Sequence, residues 1–368
     1  MPRGRKYGLL IAGGGVAGSL AALALAKLRP DLRFLLVGEE SAFGGGNTLI
    51  VDDAGLGDEE RALLAPLISH SWDACYAAFP GRSRKLKLIR HCLIPERIDQ
   101  AVRETLRPDQ YRLDAKIVAV RDRSLLLHGG ETIAADGAVD ARDATHLPAL
   151  ELGWRVSAAR AFRFAAPHRV DLPVAVDATL EQKQGCRFFS LLPFSAERLL
   201  VEEVRYAAVP DVDAAAAGAR IEAYAARRGW KHGVAEGEEG GALPVALGGD
   251  FTAYWRLGGA RVAKLGARGG FFHPFTGCPL PDALGTALLL AGQRDFGGEA
   301  LHDTFEAHAM AAWKKRDFHR SFNRRMIEGP GCAALAGLYG LDAALIARFF
   351  GEELGMLDRR KIMAAAGR

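Results

Sequence analysis

Tyr7-Gly8-Leu9-Leu10-Ile11-Ala12-Gly13-Gly14-Gly15-Val16-Ala17-Gly18 sets an apolar run against three consecutive glycines, with a fourth three positions later. The spacing predicts a buried strand over Tyr7–Ala12, a glycine turn, and a helix over about Ala17–Leu28 that Arg29-Pro30 closes. Gly13, Gly15 and Gly18 match G-x-G-x-x-G. The first glycine permits the tight turn, the second lets a pyrophosphate approach the backbone, and the third lets helix and strand pack closely. The helix N-terminus then offers free N–H groups and a positive dipole to the phosphates. A second strand is expected over Leu32–Val37, where such units end in an acid for the ribose 2′-OH. Position 38 is instead glycine and Glu39-Glu40 follow, so Glu39 is the ribose candidate with a one-residue slip. Strand, turn, helix and acid together point to a dinucleotide.

Working outward, the N-terminal region also mimics a signal peptide or spanning helix, because the basic Met1–Lys6 precedes an apolar run from Leu9 to Ala26. The glycines interrupt that run, and no other stretch is long and apolar enough to span a bilayer. The expectation is a protein that is not transmembrane. A chain of 368 residues, 49% hydrophobic and 25% charged, suggests two or so ordinary globular domains. A net charge of +4 is too slight for a nucleic-acid footprint. Cys75, Cys92, Cys186, Cys278 and Cys332 are scattered without C-x-x-C, which reads as a reduced, intracellular set. No metal is expected, since no H-E-x-x-H or comparable ligand pattern occurs.

Three features favour FAD over NAD. Phe43-Gly44-Gly45-Gly46-Asn47 forms a second glycine loop shortly after the acid, with Gly45 and Gly46 as cofactor candidates. Ala138-Val139-Asp140-Ala141-Arg142 resembles the strand end that many flavoproteins carry. A later unit runs from Val262 through Gly269-Gly270 and Phe271-Phe272-His273-Pro274-Phe275-Thr276-Gly277 to a helix over Asp282–Ala291. Single-Rossmann NAD enzymes lack such a returning unit. Gly269, Pro274, Thr276 and Gly277 are its cofactor candidates.

The expected architecture is α/β: a Rossmann-type FAD-binding domain of the glutathione-reductase/hydroxylase kind, with an inserted β-sheet substrate domain and a helical C-terminal region. The first part of the FAD domain takes residues 1–155, with crossover helices near Asp58–Ile68 and Pro95–Leu106. The β-rich domain takes 156–248. Its strands are read as Phe162–Phe164, Pro173–Asp177, Cys186–Leu192, Leu199–Tyr206 and Gly241–Leu247, interrupted by a helix over Ala214–Arg228. The FAD domain returns over 249–300, and 301–368 is helical.

Five Glu-Glu pairs occur: Glu39-Glu40, Glu59-Glu60, Glu202-Glu203, Glu238-Glu239 and Glu352-Glu353. Solvated faces account for 59–60 and 352–353. The pair in Leu199-Leu200-Val201-Glu202-Glu203-Val204-Arg205-Tyr206 lies mid-strand. Alternation puts Leu200, Glu202, Val204 and Tyr206 on one face and Glu203 with Arg205 on the other. With apolar neighbours and a tyrosine on its face, Glu202 is expected to be desolvated toward the neutral acid, a form suited to general-acid work. The competing reading is a buried structural acid satisfied by Tyr206 or backbone.

These residues resemble the bacterial lycopene β-cyclase family over nearly the whole chain. The likeness includes Gly13–Gly18, Gly45-Gly46-Asn47, Ala65-Pro66-Leu67, Arg82–Leu86, Val176–Thr179, Arg187-Phe188 and Leu199–Glu203. It continues through Gly241–Pro244, Phe272–Gly277, Phe322–Met326 and Leu338–Leu341. The acidic strand and the His-Pro-x-Thr-Gly block are specific; the glycine turn is not. Departures are Gly38 at the strand end, Thr48-Leu49 where a His and an aromatic normally follow the Gly-Gly-Asn loop, and Gly240 and Asp143.

The resemblance implies conversion of the ψ ends of lycopene to β-rings, with FAD kept reduced by NAD(P)H, no net redox change, and Glu202 as the essential acid. A proton adds at C2, the C5=C6 bond closes on the C1 cation, and loss of the C6 proton gives the ring. Glu202 either donates that proton or supports a reduced flavin that does. A hydrocarbon must be held by apolar groups, for which Phe188, Phe189, Phe275 and Tyr206 are the candidates, with Phe271 as a further aromatic. The implied location is cytoplasmic and peripheral to the inner membrane, where lycopene dissolves, with association with other carotenoid-pathway enzymes. Phe349-Phe350, Leu354 and Met356-Leu357 followed by Arg359-Arg360-Lys361 are the membrane-facing candidates. A redox flavoenzyme (monooxygenase or isoprenoid reductase) and a flavin-bearing carotenoid carrier are the alternatives.

Overall fold

The computed structural model describes residues 7–143, 147–182, 185–230, 233–257 and 261–367; the basic Met1–Lys6 lies outside them. The first strand, Tyr7–Ala12, lies inside a seven-stranded sheet between Phe34–Val37 and Thr132–Asp140, parallel to both. Its last four residues, Leu9 to Ala12, are fully buried, as a parallel strand covered on both faces requires. The helix that follows, Val16–Leu28, buries nearly all of its first three turns and packs against helix Leu280–Ala291. The short strand Ala263–Lys264 joins the same sheet beside Thr132–Asp140, which brings the returning segment back to the glycine turn.

A second seven-stranded sheet runs in the order Val234–Gly249, Leu150–Arg163, Arg198–Ala207, Arg187–Pro193, Val174–Asp177, Cys75–Phe79 and Arg82–Leu86. Two of its strands are much longer than expected, 14 residues for Leu150–Arg163 and 16 for Val234–Gly249. Their alanines and glycines are weak strand formers, so only short apolar pieces stood out. The hairpin Cys75–Leu86 also belongs to this sheet, and Leu150 opens the strand next to its long edge strand. The sheet therefore draws on residues placed within 1–155, because pairing across distant segments leaves no local signal.

One face of this sheet is covered by helix Ala214–Arg227, which packs on Phe189, Leu191, Leu199 and Val201. The opposite face is covered at one end by C-terminal helices, whose Phe322, Met326, Leu335 and Phe349 pack with Phe188, Val204, Tyr206 and Phe275. A disulfide joins Cys186 to Cys332 with Cα atoms 4.7 Å apart. The expectation of five reduced cysteines is corrected on this point: the two are 146 residues apart, so spacing could not reveal the pair. Among the described residues no helix is long and apolar enough to cross a membrane.

Candidate active site

Each glycine of the turn has a physical cause. Gly13 has φ +111°, and a Cβ there would lie 2.7 Å from the backbone of Ala141 and Arg142. A Cβ at Gly18 would lie 1.9 Å from the Gly13 carbonyl oxygen, so any other residue would push helix from strand. At Gly15 the nearest atom is the Asp143 Oδ1 at 3.9 Å, leaving a backbone face open at a helix N-terminus. Gly45 and Gly46 likewise have no neighbour within 4 Å. This open backbone fits a dinucleotide phosphate. Gly38 is glycine because a Cβ there would meet the Leu113 side chain at 2.8 Å and Gly14 at 3.4 Å, so the acid falls one place later. Glu39 is exposed, with its Oε1 accepting from the Ile117 N–H at 3.3 Å.

The returning loop is seated on the turn, since a Cβ at Gly266 would touch that of Ala17 at 2.9 Å. Within it, Gly269 and Gly277 are required by packing: a Cβ would lie 2.5 Å from the Phe271 ring and 2.6 Å from Leu243 Cβ, respectively. The Pro274 carbonyl accepts from Asn323 Nδ2 at 2.6 Å, and Thr276 lines the cavity described next. His273 is neutral and structural here, with burial pushing its pKa down. Its Nδ1 accepts from the N–H groups of Phe275 and Thr276, which leaves Nε2–H to donate to Phe350 O at 3.0 Å.

A cavity of about 540 Å³ opens on the uncovered part of the second sheet, roofed by the Asn47–Leu56 segment and helix Gly298–Lys315. Its floor follows strand alternation: Arg155, Ser157 and Ala159 come from strand Leu150–Arg163, Leu200 and Glu202 from the acidic strand, and Glu239, Gly241 and Leu243 from the long outer strand. Ala159 pairs directly with Glu202 on one side and with Glu239 on the other. The two acids therefore stand in one cross-strand row, with only a methyl group between them.

Glu202 faces the cavity as alternation predicts, but its surroundings are not apolar. Arg155 Nη2 donates to both carboxylate oxygens at 3.0 Å. Arg155 is on the neighbouring strand, 47 residues away, where inspection of one strand could not find it. Burial opposes the charge on Arg155, and Glu202 and nearby polar groups more than offset it, so its pKa is raised. Glu203 is buried on the opposite face at 4% exposure, held by Arg220 at 2.6 and 2.8 Å and by Arg187 at 3.1 Å, in place of the expected Arg205.

Glu239 was not singled out from the sequence. Its Oε2 accepts from the Thr48 N–H at 2.6 Å and its Oε1 from the Thr48 hydroxyl at 2.8 Å. Burial pushes its pKa up, Thr48 opposes this, and Glu202 and Glu96 add to the rise. The glycines of Gly237-Glu238-Glu239-Gly240-Gly241 read as a loop; counting back by twos from Leu243 would have put Glu239 on the cavity face. Thr48 is itself one of the departures noted above. The thiols of Cys278, on the cavity wall, and Cys92 are pushed up by burial, to about 11 and about 12.

The aromatic candidates lie elsewhere. Tyr206 stacks on Phe275 at 5.1 Å and donates from its hydroxyl to the Phe275 carbonyl at 3.1 Å. Phe188 joins the same cluster, and Phe189 points to the other face, stacked on Tyr224 at 4.2 Å. None of the four lines the cavity: the C-terminal helices cover Phe188, Tyr206 and Phe275, and helix Ala214–Arg227 covers Phe189. The apolar lining comes instead from Leu49, Ile50, Val51, Leu192, Leu200 and Leu243. Glu352, expected to be solvated, is buried against Arg316, which also holds Asp282 at 2.7 Å. A His302–Asp303–Glu306 grouping lies outside the cavity lining, and Asp303 pairs with Arg261.

The fold is mixed α/β and Rossmann-like with a helical C-terminal region, and solved enzymes share it. A geranylgeranyl bacteriochlorophyll reductase-like protein from Thermoplasma acidophilum superposes with a TM-score of 0.58 at 13% identity, over 98% of this chain and 95% of that one. A tetracycline destructase gives 0.61 at 14% identity, over 97% of this chain and 99% of that one. The chain belongs to the lycopene cyclase family, whose model matches residues 8–366. A lycopene beta-cyclase from Pantoea ananas is 32% identical over 362 residues, covering 97% of this chain and 94% of the relative. One from Paracoccus sp. is 33% identical over 364 residues, covering 97% and 93%.

Proposed function

We propose that this chain cyclises the ψ ends of lycopene to β-rings, with proton transfer on the cavity floor around Glu202. The observation that carries the reading is an acid–arginine pair on the floor of a largely apolar cavity, in a chain that belongs to the cyclase family. The reaction adds one proton and removes one, so the acid changes the substrate without oxidising it. Leucine, isoleucine and valine side chains exclude water from a cation that water would otherwise trap. FAD, kept reduced by NAD(P)H, supplies an electron-rich partner for the cationic end group when bound. Gly13, Gly15 and Gly18 would admit its pyrophosphate, Glu39 would meet the ribose, and Gly45 and Gly46 with the returning loop would hold the rest.

Lycopene is dissolved in membrane, and Met356 and Leu357, at 73% and 69% exposure, stand beside the exposed Arg359, Arg360 and Lys361. This corner combines insertion with attraction to anionic lipid. Phe349, by contrast, is fully buried against Phe275 and Phe322 and takes no part in it. The chain would then work from the cytoplasmic membrane surface; Met356→Ser with Leu357→Ser should lower its sedimentation with anionic vesicles.

Pigment chromatography of a lycopene-accumulating bacterial host expressing the chain tests the reading. β-Carotene or one-ring γ-carotene supports it. A product heavier by oxygen or hydrogen overturns it in favour of redox flavin chemistry, as does unchanged lycopene beside soluble flavoprotein that consumes NADPH.

A further inference from the structure

We infer that Glu239 is a second acid/base residue of this site, giving the proton at C2 while Glu202 accepts the proton that leaves C6. The inference rests on the cyclase reading and assigns its two proton transfers to two groups.

The geometry supplies three reasons. Glu202 and Glu239 are both paired to Ala159, so their backbones stand about 10 Å apart, two strand spacings, and both side chains face the cavity. The gap between them is bounded below by a single methyl group, which leaves room for a folded ring-sized end group. The partners of the two acids also differ in kind. Both oxygens of Glu202 accept from an arginine, whereas both oxygens of Glu239 accept from neutral donors of Thr48. Burial then favours the protonated form of Glu239, and Glu202 across the row, Glu96 of helix Pro95–Thr105 and Cys92 of strand Arg90–Leu93 bring it no positive charge.

The transfers balance. The C1=C2 π pair takes the Glu239 proton at C2 and leaves a cation at C1. The C5=C6 pair forms the C1–C6 bond and moves the cation to C5. The C6–H pair becomes the new C5=C6 bond as its proton passes to Glu202. Solvent at the open cavity mouth returns a proton to Glu239 and removes one from Glu202, with no electron gained or lost.

The test uses the full chain reconstituted with reduced FAD and supplied with lycopene in phosphatidylcholine vesicles, across a pH series. Glu239→Gln keeps the shape and is expected to slow ring formation by about 10²–10⁴-fold, with FAD content and lycopene binding unchanged. Thr48→Val removes one of the contacts that hold the Glu239 pKa down. A donor must be protonated to act, so the alkaline limb of kcat should move to higher pH, which a purely structural contact would not cause. Glu239→Gln working at the wild-type rate, or Thr48→Val leaving the limb in place, overturns this inference alone. Wild-type chain that leaves lycopene unchanged overturns the cyclase reading together with it.

Discussion

The two faces of the second, mixed sheet put adjacent residues in opposite settings. On the face under helix Ala214–Arg227, Glu203 is closed in by Arg220 and Arg187, which wall a small cleft of about 210 Å³. On the other face, Glu202 has one arginine beneath it and an open cavity above. Residue type is the same and sequence position differs by one, so the pleat alone decides which glutamate pairs beneath the helix and which one faces the larger cavity. The more buried of the two is the one placed away from that cavity.

Substitutions at the two positions can break that contrast. The largest effect is expected from Glu202→Gln, which should reduce ring formation by about 10²–10⁴-fold while thermal stability and FAD content stay near wild type. Near-normal product from this variant would remove Glu202 from the chemistry. Glu203→Gln leaves two partly exposed arginines beside a lost charge and should cost roughly 1–3 kcal/mol of unfolding free energy, read by denaturant titration, with turnover retained by the folded fraction. A stable but inactive Glu203→Gln would show that the faces are not independent.

A further effect sharpens the picture at the covered end of the cavity face. His319 donates from Nε2 to Phe349 O at 3.0 Å, and burial pushes its pKa down to about 4, with His273, Glu352 and Arg316 around it. Its folded pKa lies below its unfolded value of about 6.5, so the unfolded chain binds the proton first as pH falls. Stability is full above about 6.5 and should decline by up to roughly 3 kcal/mol as pH drops to about 4. Urea unfolding at a series of pH values should show this decline, and His319→Gln, which keeps a donor for Phe349 O, should flatten it. An unchanged slope would mean that other groups set the acid limit.

The contrast also explains what could be read before the structure. The glycine turn was legible because the G-x-G-x-x-G spacing is a local pattern: Gly18 avoids the Gly13 carbonyl within one strand–turn–helix unit, although the contact of Gly13 itself, with Ala141 and Arg142, is not local. The face of Glu202 was legible because alternation is a property of one strand. Arg155 was not, since it reaches Glu202 through strand register across 47 residues. Glu239 was hidden by its glycine-rich neighbours, and Thr48, which holds it, read only as a missing histidine. The aromatic candidates failed for a related reason: a phenylalanine shows that it will be covered, but not whether helix or ligand covers it.

The parity of the sheet has a use in directed evolution. Positions 155, 157 and 159, 200 and 202, and 239, 241 and 243 meet the cavity, while Val156, Leu199, Val201 and Glu203 beside them pack into the body. A combinatorial library confined to 157, 159, 200, 241 and 243, sparing Arg155 and the two acids, samples new end-group selectivities at little risk to expression. One shifted by a single residue along the same strands would spend most of its members on misfolded protein.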